Sequence, residues 1–319
     1  MTAVLQRMMG VRRIWYNTLI MKRFFGKMAF AVAALAAVFV SGCLTAPQDT
    51  IRVGSYNIRL SPGDKGTPND WDCRKADMVA LVKKLDLDAF GMQEVCPDQA
   101  AYLRENLPEF AFVGDHREAD RKSGEASPVF YRKSRFEAEQ RGTFRLSETP
   151  EVPASKSWGT CCTRVCSYLV LRDKASGKRF CFANTHTDHV SALAREKGML
   201  LIIERMKEFG KGAPIVFTGD HNCRYADAPA VAVRQILKDA RDVSETPLRG
   251  PRNTFQGFGK YKDGPVDMNG KKYDDYCIDY IYVSDGTRVL DFETHGDKRP
   301  GTDLYPSDHY PVTATVVLP

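Results

Sequence analysis

The sequence predicts a single α/β unit: extended segments alternate with amphipathic helical ones, no repeat or linker divides the chain, and polar residues gather where strands end. "IRVGSYNI" (51–58) is the first strand, and "KADMVALVKKL" (75–85) carries apolar residues at helical spacing. "DAFGMQEV" (88–95) reads as a buried strand. Three extended stretches follow, "SPVFYRK", "RVCSYLVLRD" and "KRFCFANTH", the last two joined through "KASGK" as a hairpin. A helix over about 191–209, the strand "APIVFTGD", a helix over about 228–237, the strand "YCIDYIYV" and a short strand near "RVLDFETH" come next. In the closing strand Val312, Ala314, Val316 and Leu318 alternate with Thr313, Thr315 and Val317. Two irregular stretches, 59–72 and 145–163, hold Trp71 and Trp158, which either stack on a base or sugar or pin their loops to the core.

A segment of different character precedes this unit. Lys22, Arg23 and Lys27 lead into thirteen apolar residues, Met28 to Val40, and then into "VSGC". That run is shorter than the roughly 20 residues that span a bilayer, and it suits the core of an export signal. Small residues before Cys43 resemble a bacterial lipobox, in which the thiol is acylated and the chain is cut just before it; a simple cleaved signal peptide is the plainer alternative. Residues 1–42 are therefore read as a signal sequence, with Met21 an alternative start, 43–50 as a lipid-anchored tether and 51–319 as the folded domain. Leu44 after the cysteine favours the outer membrane over the inner one, and a periplasmic setting is expected.

Residues 1–42 hold six of the 46 basic residues and none of the 40 acidic ones, which leaves the rest formally neutral. No basic excess advertises nucleic acid or an anionic membrane surface as a partner. Eight cysteines follow Cys43, an even count that permits disulfides in an exported chain, and the spacing Cys161-Cys162-x3-Cys166 is not a zinc pattern.

Polar residues close or open six strands: Asn57, Gln93 with Glu94, His186, Asp220 with Asn222, Asp279, and Asp308 with His309. One such residue is an ordinary turn or cap, but acid, amide and imidazole gathered in one fold suit phosphoester hydrolysis. Carboxylates hold a hard divalent cation, imidazole or carboxylate activates water, and amide or cationic donors meet the phosphoryl oxygens.

"GSYNIR", "QEV", "NTHTDH", "FTGDHN", "DYIYVS" and "SDHYPV" stand in an order that resembles the endonuclease/exonuclease/phosphatase superfamily, which includes pancreatic deoxyribonuclease, abasic-site endonucleases, neutral sphingomyelinases and inositol polyphosphate phosphatases. "SGEASPVFY" and "GTFRLSETP" look like a bacterial exported lipoprotein branch. The resemblance runs from about Ile51 to the C-terminus and implies a four-layer αββα sandwich of two packed mixed β-sheets flanked by helices.

By that resemblance Glu94 is the main metal carboxylate, with Asn57 and Asp308 completing the metal and water shell; Mg²⁺ is the expected ion, Mn²⁺ or Ca²⁺ alternatives. His186, oriented by Glu125, meets a phosphate oxygen or leaving group. His309, held by Asp279, works with Asp220 on the attacking water; Asn222 points with Asp220, and Arg164 resembles a phosphate-binding arginine. His189 is a substrate contact or a structural residue, His221 a core histidine between the sheets, and His116 and His295 surface residues. The resemblance also implies a disulfide between Cys223 and Cys277.

The expected function is a Mg²⁺-dependent phosphoester hydrolase, a phosphodiesterase or phosphatase, acting as a monomer outside the cytoplasm on a small molecule or lipid. A nuclease is the alternative within that chemistry. A catalytically silent binding lipoprotein is the alternative outside it, and it would have shed one or more of Glu94, His186, Asp220, Asn222, Asp308 and His309.

Overall fold

The computed structural model describes residues 49–261 and 276–319. The 1–42 signal, Cys43 and most of the 43–50 tether lie outside the described residues. Asp49–Pro319 forms one compact unit, and among the described residues no helix is long and apolar enough to cross a membrane.

In chain order the elements begin β1 (Thr50–Asn57), α1 (Trp71–Leu85), β2 (Ala89–Gln93), α2 (Pro97–Asn106), β3 (Phe110–Val113), β4 (Val129–Arg132), β5 (Phe136–Arg145) and β6 (Val165–Asp173). They continue β7 (Arg179–His186), α3 (Ala192–Gly210), β8 (Ile215–Asp220), α4 (Ala228–Arg234), β9 (Lys238–Asp239), β10 (Asp279–Val283), β11 (Arg288–Thr294) and β12 (Val312–Val317). Two six-stranded sheets result, ordered β11-β12-β1-β2-β4-β3 and β5-β6-β7-β8-β10-β9. Each is mixed: β1 and β2 run parallel, as do β7 and β8, within otherwise antiparallel sheets.

Alternation assigns the two faces of each sheet. Ile51 and Val53 of β1 meet Phe180, Phe182, Val216 and Ile281 of the second sheet in the central core. The outward residues Tyr56, Phe90, Met92 and Phe130 pack with α1 and α2 side chains such as Met78, Val82 and Leu103. Cys181, Phe217, Tyr280 and Tyr282 pack on the other side with Met199, Ile203 and Met206 of α3 and Val233 of α4. These three apolar interfaces make four layers: helices, sheet, sheet, helices.

Asp70 caps α1 by accepting from the Asp72 backbone N–H, so the helix starts at Trp71 rather than at 75. Trp71 is thereby buried, edge-on to Tyr102 and beneath the Arg74 guanidinium, and it pins its loop to the core.

Toward one end of the sandwich the central core turns polar. Asn184 of β7 crosses between the sheets and donates to the Met92 and Pro128 carbonyls at 2.7 and 2.9 Å, while its Oδ1 accepts from Gln93 and Thr218 at 2.6 and 3.1 Å. Gly91 makes room for it, since a Cβ there would stand 2.1 Å from Asn184 Cγ.

Candidate active site

Alternation carries the inward faces of both sheets out to the strand ends. Phe180, Phe182 and Asn184 of β7 lead to His186, Val216 and Thr218 of β8 lead to Asp220, and Asp279 opens β10 ahead of Ile281. Register pairs His186 with Asp220 and Asp220 with Asp279, so the three stand side by side on adjacent strands. On the facing sheet Ile51, Val53 and Ser55 lead to Asn57, paired with Gln93. Glu94 then leaves β2 at φ 63 and Asn222 follows β8 at φ 46, left-handed conformations that cost a non-glycine residue about 1–3 kcal/mol and recur at functional sites.

The Asn57 amide ties the two sheets, donating to Glu94 Oε1 at 3.1 Å and to Asp220 Oδ2 at 2.9 Å, while its Oδ1 accepts from the Arg59 backbone at 3.0 Å. Glu94 Oε2 accepts from Leu60 N at 2.9 Å. His309 Nδ1 is 2.8 Å from Asp279 Oδ2, and its Nε2 is 3.7 Å from Asp220 Oδ2. His186 Nε2 lies 3.5 Å from the same Asp220 oxygen and accepts from Asn222 Nδ2 at 2.8 Å. That acceptance puts the imidazole proton on Nδ1, facing Glu125 Oε2 at 3.9 Å. Arg74, fully buried, donates to Ile58 O, Arg59 O and Pro306 O and so holds the segment after β1 against the one that delivers Asp308 and His309.

Burial dominates the electrostatics. It pushes Asp220 up, reinforced by the neighbouring Asp279, and pushes His186 well down, reinforced by the Arg164 cation. Burial opposes charge on His309 as well, but the Asp279 carboxylate outweighs it and the pKa rises. Glu125 is raised by burial despite its 2.9 Å ion pair with Arg117. Asp308 stands 3.8 Å from Arg59 Nε, and Arg164 Nη2 lies 3.0 Å from His189 Nδ1.

Glu94, Glu125, Arg164, His186, His189, Asp220, Asn222, Asp308 and His309 all line one cleft of about 770 Å³, with Asn57 and Asp279 fully buried behind it. Sequence reasoning missed Arg59, Arg117, Arg195 and Arg224 and the rings of Phe255 and Tyr276 on the same walls. Arg59 closes the quoted "GSYNIR", Arg195 lies in the predicted helix and Tyr276 opens the predicted strand "YCIDYIYV", so these were within reach; Arg117, Arg224 and Phe255 come from irregular segments.

Three expectations need correction. Cys223 and Cys277 are free buried thiols, and the Tyr280 hydroxyl instead joins their segments by donating to Cys223 O and Cys277 O at 3.0 and 2.9 Å. His116 and His295 are buried, bonded to Gly124 O and Thr313 Oγ1. His221 is a core histidine on the outer face of its sheet rather than between the sheets, stacked on Tyr280 and Tyr282 and held neutral by burial, which lowers its pKa to about 3.

Residues 54–309 match the Endonuclease/Exonuclease/phosphatase family. The chain belongs to that family. It is accordingly a hydrolase of phosphoester bonds, the chemistry of the family. An endonuclease/exonuclease/phosphatase from Bacteroides vulgatus is similar at 32% identity and a TM-score of 0.77, over 85% of this chain and 99% of its own. A mannosyl-6-phosphatase from Bacteroides thetaiotaomicron is 31% identical with a TM-score of 0.75, over 84% of this chain and 99% of its own. TDP2 from D. rerio, complexed with single strand DNA product, shares the fold at 16% identity and a TM-score of 0.65, over 84% of this chain and 98% of its own. None of the curated proteins compared matches the chain.

Family members depend on a divalent metal, and the donors present fit one. Asp220, Asp279 and His309 place donor atoms within 4.8 Å of one another, and Glu94 and Asp308 add carboxylates on the cleft wall. Apart from the imidazole these are oxygen donors, as a hard cation requires. Asp279 is committed to His309 Nδ1 through Oδ2, while its Oδ1 is buried with no hydrogen-bond partner among the described residues; Glu94, Asp220 and Asp308 are the carboxylates that reach the cleft.

Proposed function

We propose that this chain is a Mg²⁺-dependent phosphatase or phosphodiesterase of small phosphorylated molecules, acting as a monomer outside the cytoplasm and tethered to the cell envelope through a lipid on Cys43. The observation that carries the chemistry is the convergence of His309 Nε2 and His186 Nε2 on one Asp220 oxygen, at 3.7 and 3.5 Å, inside an arginine-lined cleft. A volume of about 770 Å³ suits a small-molecule site, and the similar mannosyl-6-phosphatase supports a phosphorylated sugar among the candidates.

Glu94 and Asp308 would hold the ion, with Asn57 orienting Glu94 and Asp220. Bound there, Mg²⁺ would supply Lewis-acid stabilisation of charge on the phosphoryl oxygens. Asp220 takes up the proton of the attacking water, and His309, fixed by Asp279, orients that water. His186 and Asn222 face the phosphoryl or leaving-group oxygen from the other side, and Arg164 neutralises a further oxygen.

The test is phosphate release from hexose 6-phosphates and aryl phosphomonoesters, with aryl phosphodiesters and DNA compared. Activity should vanish in EDTA and return with Mg²⁺; full turnover in EDTA sinks the reading. Nuclease action is a second reading, favoured by Phe255 and Tyr276 as stacking surfaces on the cleft wall. Binding of duplex DNA by an inactive variant separates the two: one or two phosphate contacts give a log–log salt slope below about 3 in magnitude, and tight binding with a slope beyond about −5 restores the nuclease. Anchoring is tested by Cys43→Ser, which should release the protein from the membrane fraction; an unmodified Cys43 on the native protein rejects the anchor.

A further inference from the structure

A second group of donors stands on the rim of the cleft, and its chemistry differs from the oxygen-rich catalytic set. Cys161 and Cys162 close the 145–163 stretch with their Sγ atoms 3.3 Å apart. Cys161 Sγ is 3.0 Å from Asp188 Oδ2 and 3.7 Å from His189 Nδ1. Donor atoms of Cys161, Cys162 and Asp188 all lie within 4.8 Å of one another. The thiols are within reach of solvent, since Cys161 is exposed and Cys162 half-buried, and both line the cleft beside His189.

The surroundings hold this group in place. Asp188, almost fully buried, accepts from Thr160 Oγ1 at 2.9 Å, Cys161 N at 3.1 Å, Val190 N at 3.0 Å and Ser191 N at 2.7 Å. The two segments that carry the donors are thus fastened to each other before any ligand arrives. Arg164 donates to the His189 ring at Nδ1, and Arg117 Nη1 stands 3.9 Å from Cys162 Sγ. An ordinary hydrogen bond to Asp188 accounts for one thiol, but not for a second thiol and an imidazole converging on it.

We propose that Cys161, Cys162, Asp188 and His189 form a binding site for a thiophilic cation of the Zn²⁺ class, distinct from the oxygen-lined site of the catalytic ion. Two sulfurs, one nitrogen and one oxygen are the donor set of four-coordinate zinc, whereas Mg²⁺ selects oxygens. As the two metal–sulfur bonds form, each thiol releases its proton to solvent; the carboxylate binds without proton loss, and neutral His189 binds through Nδ1 as Arg164 gives up its hydrogen bond there. The sequence spacing gives no hint of this, because two donors come from 161–162 and two from 188–189, on either side of a β-hairpin.

The site does not depend on the substrate assignment, so its test reads metal and not turnover. The reduced full chain is titrated with Co²⁺, then Zn²⁺, in excess Mg²⁺. One Co²⁺ per chain should bind with intense thiolate-to-cobalt charge-transfer absorption, and Zn²⁺ should displace it. Loss of an outer-shell partner costs 10- to 100-fold in metal affinity, so Cys161→Ser with Cys162→Ser should weaken Zn²⁺ by more than roughly 100-fold and remove the absorption. Cys73→Ser, at an exposed thiol on α1, should leave both unchanged. Should the double variant misfold, His189→Gln, which keeps both thiols, should still weaken Zn²⁺ by roughly 10-fold or more. No charge-transfer band in the unaltered protein, or undiminished affinity in these variants, overturns the proposal.

Discussion

The two active-site histidines are equally buried and approach the same Asp220 oxygen, yet they are held in opposite ways. His309 gives its Nδ1 to Asp279 at 2.8 Å, and that carboxylate raises its pKa against the pull of burial. His186 has its carboxylate, Glu125, at 3.9 Å, and Glu125 is already paired with Arg117; burial and the Arg164 cation keep this ring neutral. The difference teaches that distance to a carboxylate, rather than burial, decides which imidazole can carry charge. A charged, water-orienting role falls to His309, and a neutral, positioning role to His186 under the proposed mechanism.

The comparison breaks most readily at His309. His309→Ala should lower kcat by roughly 1,000-fold, and Asp279→Ala should approach it, the double variant being little worse than either because the pair acts as a unit. Steady-state kinetics showing additive losses would contradict that unity. His186→Ala should cost roughly 100-fold, since Asn222 loses the acceptor that holds it toward the cleft. Glu125→Gln sharpens the contrast: with no close bond to His186 to lose, it should cost about 10-fold or less in kcat. A loss matching Asp279→Ala would mean the two histidines are equivalent after all.

Gly91→Ala tests the polar layer below them. Its Cβ collides with Asn184, and overpacking of this kind should lower stability by about 1–3 kcal/mol, read as a fall in the urea midpoint. The smallest effect expected is none: with Cys223 and Cys277 free, reductant should leave the melting temperature unchanged, where a disulfide would have added about 2–4 kcal/mol.

The α/β class and most strands were legible because β1, β7, β8, β10 and β12 are short, largely apolar runs, mostly buried on both faces and bounded by polar residues. The strand-end residues were legible for the same reason, once alternation is followed past the apolar positions to Asn57, His186, Asp220 and Asp279. Elements that escaped the sequence reading lack that signal. β5 is an edge strand, "FEAEQRGTFR", with polar exposed residues and a bulge after Ala138. α2, "PDQAAYLREN", buries only Gln99, Ala100 and Leu103 and depends on a capping box between Cys96 and Gln99. His116 and His295 looked peripheral because their partners, a carbonyl and a threonine, are not recognisable at a distance in sequence. Cys161 and Cys162 meet Asp188 and His189 only through the fold.

β12, the last strand of the chain, lies inside the first sheet, between β11 and β1, and the segment before it brings Asp308 and His309. During synthesis, then, β1 waits with an open edge until β12 has been made. Such an edge pairs readily with other chains, and its closure needs contacts across nearly the whole domain, so folding should be late and all at once. A product ending before Val312 would lack the strand between β11 and β1 and would leave the β1 edge open to other chains.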